Sequence, residues 1–147
     1  MKLILKRACV CEKCSARFNA PDLGDYSYGE FLLWSASGEC RYLNAFEDET
    51  YKEVIGIVDL YEKFHVEDGF VQEVYGRVAC DPDENGFFFH ISNPPCPQCG
   101  STNIVSVGDQ SMGEFAVKAV THFLWNSLSY EDKIIRFRAV ALELMNK

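Results

Sequence analysis

Cys11-Glu-Lys-Cys14 and Cys96-Pro-Gln-Cys99-Gly100 are the two stretches on which the reading of this chain turns. Each is a C-x-x-C pair. Two thiolates three positions apart on a tight turn can both point at one ion, while the turn's amides stabilise the sulfur charge. Two such turns brought face to face supply four sulfurs at ~2.3 Å in the tetrahedral arrangement a structural Zn²⁺ prefers. Gly100 directly follows the second pair, where a left-handed backbone is often needed. Phe18, four residues after Cys14, is placed to pack over the site.

The 147 residues match the size of one domain, and 48% hydrophobic with 14% aromatic content can fill a sizeable core. Disorder, a fibrous repeat and a disulfide-stapled miniature are thereby disfavoured. Met1 to Arg7 looks like a signal peptide only briefly, because Lys6 and Arg7 end its apolar run at Leu5. No stretch approaches the ~18 apolar residues of a membrane span. A cytoplasmic location with reduced thiols is expected, and seven cysteines, an odd count containing two close pairs, then favour metal over disulfides.

The quoted residues resemble the two knuckles of a zinc ribbon: Cys11-x-x-Cys14-x-x-x-Phe18 and Cys96-Pro-x-Cys99-Gly100-Ser101. The first knuckle departs from the pattern by carrying Ser15 where a glycine is usual. The resemblance implies that each knuckle sits at the tip of a β-hairpin and that Cys11, Cys14, Cys96 and Cys99 bind one zinc. It covers residues 4–20 and 87–108. The 81 residues from 15 to 95 form a far longer separation than the common C-x₂-C-x₁₅₋₂₀-C-x₂-C spacing. Entropy does not forbid this, because loop closure grows only with the logarithm of length.

A thioredoxin-like redox pair would need its cysteines at a helix N-terminus, and the sequence after Cys99 reads as a strand. An iron–sulfur cluster or a single iron would use similar ligands. Cys9 could replace a knuckle cysteine, but is expected to be a packed neighbour, and Cys40 and Cys80 to be small buried hydrophobes. His65, His90 and His122 are scattered and are expected to be packing or helix-end residues, with His90 near enough to the second knuckle to watch.

The elements expected are a strand over 2–10, a loop over 19–25, and a hairpin of 28–35 with 40–45 about Ser37-Gly38. A helix opening at Glu47-Asp48-Glu49 would bury Tyr51, Val54, Ile55, Val58, Tyr61 and Phe64. A second helix over 68–79 is weakened by Gly76. Strands follow at 87–91 and 102–107, the segment 115–120 is undecided, and Ser129 caps a C-terminal helix. The fold class is therefore α+β: antiparallel strands with a four-cysteine zinc-ribbon site, an inserted helical segment and a C-terminal helix. Its parts would be the ribbon-like 4–20 and 87–108, an acidic α/β insert 21–86, and a helical segment 121–147, all in one domain.

The net charge is −8 with a pI near 4.8, and it is unevenly spread. Residues 1–18 hold five bases and one acid, residues 19–100 four bases and sixteen acids, and residues 101–147 five of each. No dinucleotide-binding, Walker, nucleophile-elbow or H-E-x-x-H motif occurs, and four thiolates leave a zinc no open position, so no enzyme is expected. The expected function is a zinc-stabilised acidic protein that engages a basic protein partner, one form being an immunity protein that neutralises a cationic toxin. The alternative is a nucleic-acid-associated ribbon using Lys2, Lys6, Arg7, Lys13 and Arg17 around the first knuckle.

Overall fold

A computed structural model describes residues 1–24, 27–61 and 70–146. Ten elements follow in chain order: β1 (Lys2–Cys11), β2 (Arg17–Asp22), β3 (Glu30–Ser35), β4 (Cys40–Asn44), α1 (Glu49–Asp59), α2 (Phe70–Val78), β5 (Phe89–Ile91), β6 (Ile104–Ala119), α3 (Phe123–Asn126) and α4 (Tyr130–Met145). The strands form one six-stranded sheet ordered β2-β1-β6-β4-β3-β5. All pairings are antiparallel except the short parallel contact of β4 with β6, Arg41 to Lys118 and Tyr42 to Ala119. The architecture is mixed α+β, with a mixed sheet in place of the purely antiparallel one expected.

Strand alternation divides the burial. On β3 and β4, Leu33 and Leu43 face the helices, while Leu32, Cys40 and Tyr42 face the other side. The larger core joins Leu33 and Leu43 to Val54 and Ile57 of α1, Val74 and Tyr75 of α2, Trp125 of α3 and Phe137 of α4. A smaller one gathers Ile4, Leu32, Cys40, Tyr42 and Val117 on the opposite face. The segment between the knuckles and the C-terminal segment thus fill one core together. No helix among the described residues is long and apolar enough to cross a membrane.

Several expectations shift. The loop expected over 19–25 begins later, because Arg17–Asp22 pairs with β1; Pro21 is tolerated there since β2 is an edge strand. Helix α1 is capped by the Asp48 carboxylate, which accepts from the Tyr51 N–H at 2.7 Å. Its buried face takes Ile57 more deeply than Ile55, and Phe64 lies outside the described residues, as do His65 and Asp68. Gly76 is required, not tolerated: a Cβ there would stand 2.0 Å from the Phe89 carbonyl oxygen. Strand β5 is shorter than expected, spanning only Phe89–Ile91.

The two segments at 102–107 and 115–120 are parts of the single strand β6. Its pairing with β1 steps from Leu5–Glu114 to Arg7–Ser111 and then to Cys9–Ser106, so β6 carries extra residues at two bulges, where Gly113 and Gly108 lie. Helix α4 starts as expected, with the Ser129 hydroxyl accepting from the Asp132 N–H at 3.2 Å. The four-residue α3 before it is too short for periodicity to reveal.

Candidate metal centre

Strand β1 delivers Cys11 to the tip of the β1–β2 hairpin, and the turn beyond it carries Cys14. The segment after β5 delivers Cys96 and Cys99. That second knuckle is not a hairpin tip, a correction to the ribbon pattern: β5 pairs with β3, and β6 pairs with β1. What brings the knuckles together is β6, whose Ile104 stands opposite Cys11, while the Glu12 N–H donates to the Asn103 carbonyl at 3.0 Å.

The two turns repeat one hydrogen-bond pattern. In the first, the Ser15 N–H donates to the Cys11 carbonyl (2.8 Å) and the Cys11 N–H to the Ala16 carbonyl (2.9 Å). In the second, the Gly100 N–H donates to the Cys96 carbonyl (2.9 Å) and the Cys96 N–H to the Ser101 carbonyl (2.8 Å). Ser15 and Gly100 occupy the same left-handed position, at φ 64° and 75°. Ser15 adopts this turn despite its Cβ, a strain of ~1–2 kcal/mol that glycine avoids.

All four sulfurs lie within 4.8 Å of one another. Cys11 Sγ stands 3.6 Å from Cys99 Sγ, and Cys14 Sγ 3.5 Å from Cys96 Sγ. A tetrahedron with ~2.3 Å metal–sulfur bonds has edges of ~3.8 Å, so the set is sized for a single ion. The four cysteines are positioned to hold a metal ion and are compatible with zinc. Each knuckle's first sulfur is turned toward amides. Cys11 is held down to about 6, chiefly by the Cys14 N–H it accepts from, then by that of Lys13, against the opposing effect of burial. Burial pushes Cys96 up, but the amides of Cys99 and Gln98 and the sulfurs of Cys14 and Cys99 leave it below the ordinary thiol value. At Cys14 the Ala16 amide pulls downward, yet burial and the three neighbouring sulfurs raise it to about 12. Four thiolates this close need a cation to offset their repulsion.

Cys9 stays outside the cluster, buried, with its sulfur toward the Arg7 carbonyl at 3.5 Å. Cys40 and Cys80 are buried in the two cores, and burial pushes the Cys40 thiol up to about 12. Phe18 lines a groove of about 630 Å³ beside Cys96 and Gly100, together with Trp34. His90 lies exposed on β5 and is not among the cluster.

Sequence reasoning missed a buried polar trio. His122 Nδ1 stands 2.9 Å from the Ala79 carbonyl and its Nε2 2.9 Å from Asp48 Oδ2, with the Tyr75 hydroxyl 3.1 Å from that same nitrogen. A carbonyl and a carboxylate only accept, so these two contacts are both hydrogen bonds when the ring carries a proton on each nitrogen, and the site favours the imidazolium form. Burial works against that charge, but the Asp48 carboxylate and the Ala79 carbonyl outweigh it and raise the His122 pKa. Asp48 moves oppositely: burial raises it, while His122 and the Tyr51 N–H bring it below the ordinary value. With both nitrogens engaged and the side chain 10% exposed, this trio ties α1, α2 and the start of α3 together.

The acids of residues 19–100 are partly spent in the same way. Asp22 pairs with Arg7, Glu30 with Lys2 and the Tyr42 hydroxyl, Glu39 with Arg41, and Glu53 with Lys133 and the Trp125 indole. Asp81 accepts from the Phe123 and Leu124 N–H groups, and Asp83 from those of Asn85 and Phe87 and from the Ser37 hydroxyl. Comparison of the chain with protein-family models, with curated sequences and with solved structures gives no match in any of the three.

Proposed function

We propose that the chain is a non-enzymatic binding protein whose fold is closed by one structural zinc ion and whose spare acidic surface engages a basic protein partner. The observation that carries the first half is the packing of four cysteine sulfurs within 4.8 Å on two matching turns. Zinc held there by Cys11, Cys14, Cys96 and Cys99 supplies structural cross-linking, since four thiolates complete its tetrahedron and leave no position for water or substrate. Metal analysis of protein purified without added metal tests this, with one zinc per chain expected. Iron in its place, or no metal and no uptake, would remove the zinc assignment.

The partner half rests on the acids that the fold does not use. Glu47, Glu73 and Glu84 are exposed, and Glu49 shares an exposed pair with Lys52. Asp48 belongs to the buried trio and is not available. Of the five N-terminal bases, Lys2 and Arg7 are paired with acids and Lys6 lies over the Phe115 ring at 5.6 Å. That leaves the exposed Lys13 and Arg17, a small base for a nucleic-acid surface. The test is affinity purification of the native protein from its own cell, followed by Glu47→Lys, Glu49→Lys and Glu84→Lys in one chain. The combined reversal should weaken binding of a basic partner at least tenfold and flatten its salt dependence. Unchanged binding would refute an acidic interface.

A further inference from the structure

The four cysteines differ in exposure. Cys11 and Cys96 are 1% and 3% exposed, Cys14 is intermediate, and Cys99 is the exposed member of the set. Cys99 Sγ also faces Cys11 Sγ at 3.6 Å across the two knuckles. We propose that the centre is a peroxide-sensitive closure, in which Cys99 is oxidised first and a Cys99–Cys11 disulfide then replaces two of the metal's ligands. This rests on reading the centre as a zinc site.

The step balances with a peroxide as oxidant. The Cys99 thiolate attacks one peroxide oxygen, the O–O bond breaks, and hydroxide leaves, giving a sulfenic acid on Cys99. The Cys11 thiolate then attacks the Cys99 sulfur; the S–S bond forms, the S–O bond breaks, and a second hydroxide leaves. The sulfur pair loses two electrons and hydrogen peroxide takes them up, while zinc keeps its oxidation state. Reaching a bond of ~2.05 Å asks the two sulfurs to close by about 1.5 Å. Only two thiolates, Cys14 and Cys96, remain for the ion, too few to hold it.

The backbone keeps the sulfurs adjacent through this change. Cys11 is fixed opposite Ile104, and the Glu12 N–H bond to Asn103 ties the same two segments without any metal. A Cys11–Cys99 bond joins the hairpin tip to the loop before β6, which is also what the metal joins. A bond within the second C-x-x-C would instead disturb Cys96 Sγ, which accepts from the Gln98 N–H at 3.4 Å. The output is therefore release of zinc with the fold retained.

The test uses the full-length, zinc-loaded protein, hydrogen peroxide and a zinc-reporting dye, with circular dichroism and disulfide mapping by mass spectrometry. One equivalent of zinc should be released per Cys11–Cys99 disulfide, with unchanged secondary structure, and a dithiol plus zinc should restore the starting state. A triple Cys9→Ser, Cys40→Ser, Cys80→Ser chain should respond identically. Disulfides within Cys11–Cys14 or Cys96–Cys99, release only together with unfolding, or a response lost in the triple variant would each overturn the proposal. Protein that neither carries nor takes up zinc would instead defeat the zinc reading, and the Cys11–Cys99 pairing would still be decided by mapping the peroxide-treated, metal-free chain.

Discussion

Replacing Asp48 separates two things its carboxylate does. Oδ1 caps α1 through the Tyr51 N–H, and Oδ2 faces the His122 imidazolium. Asp48→Asn keeps a capping oxygen and removes the charge; Asp48→Ala removes both. Losing the cap costs ~1 kcal/mol. Removing one partner of a buried ion pair costs ~3–5 kcal/mol, but His122 can escape part of that by losing its proton, which lowers the figure to ~2 kcal/mol. At pH 5.5 the expected losses are therefore ~2 kcal/mol for Asn and ~3 for Ala, or melting temperatures down by ~6 and ~9 °C for a chain of this length.

The pH dependence carries the sharper test. The His122 pKa is raised above 6.5, so its contribution is complete below about pH 6.5, the unfolded value, and is lost as pH rises through the folded one. Asp48 is lowered below 3.8, so its contribution is present above that value and is lost as pH falls through the folded one. The contribution of the His122–Asp48 pair should thus be largest between about pH 4 and 6.5, with the Asp48→Asn penalty shrinking as His122 deprotonates. Melting followed by circular dichroism from pH 3 to 10, for wild type, both Asp48 variants and His122→Gln, measures this. An Asp48→Asn penalty that stays constant from pH 5 to 9 would refute the imidazolium assignment.

Three further outcomes follow from single positions. Cys96→Ser should abolish stoichiometric metal binding and lower the melting temperature, less than in an isolated finger because β1, β6 and two cores persist; elemental analysis and calorimetry check it. Gly76→Ala should destabilise by ~2 kcal/mol, because the clash with the Phe89 carbonyl outweighs the ~1 kcal/mol gained in helix propensity; an urea midpoint equal to or above wild type would contradict the contact. Ser15→Gly should raise stability by ~0.5 kcal/mol, as relief of the left-handed turn exceeds the entropy glycine costs, whereas Ser15→Val should lower it by more than ~1 kcal/mol.

The centre was legible in the sequence because its ligands come as two short-range pairs: the spacing inside each C-x-x-C is a local geometric fact that survives any separation between the pairs. Periodicity likewise revealed α1 and α4, whose apolar faces repeat over several turns. It could not show that 102–107 and 115–120 are one strand, since the extra residues at two bulges break the alternation on which a strand is recognised. The His122 trio was hidden for a different reason. His122 lies 74 residues from Asp48 and 47 from Tyr75, and a lone histidine carries no local mark of the carbonyl and carboxylate that will meet it.

Charge shows the same division between composition and placement. In the sequence the sixteen acids of residues 19–100 are an excess of charge in one segment, yet seven of them, Asp22, Glu30, Glu39, Asp48, Glu53, Asp81 and Asp83, are spent on bases, hydroxyls and helix starts of this chain. Reversing those seven would test folding, whereas the exposed Glu47, Glu49, Glu73 and Glu84 can test a partner without disturbing a buried group. Asp81 makes the distinction concrete. Asp81→Asn should cost stability, through the Phe123 and Leu124 N–H groups it receives, and leave any binding intact; Glu84→Lys should do the reverse. Binding lost with Asp81→Asn at full foldedness would place the partner at the start of α3 and move the acidic surface there.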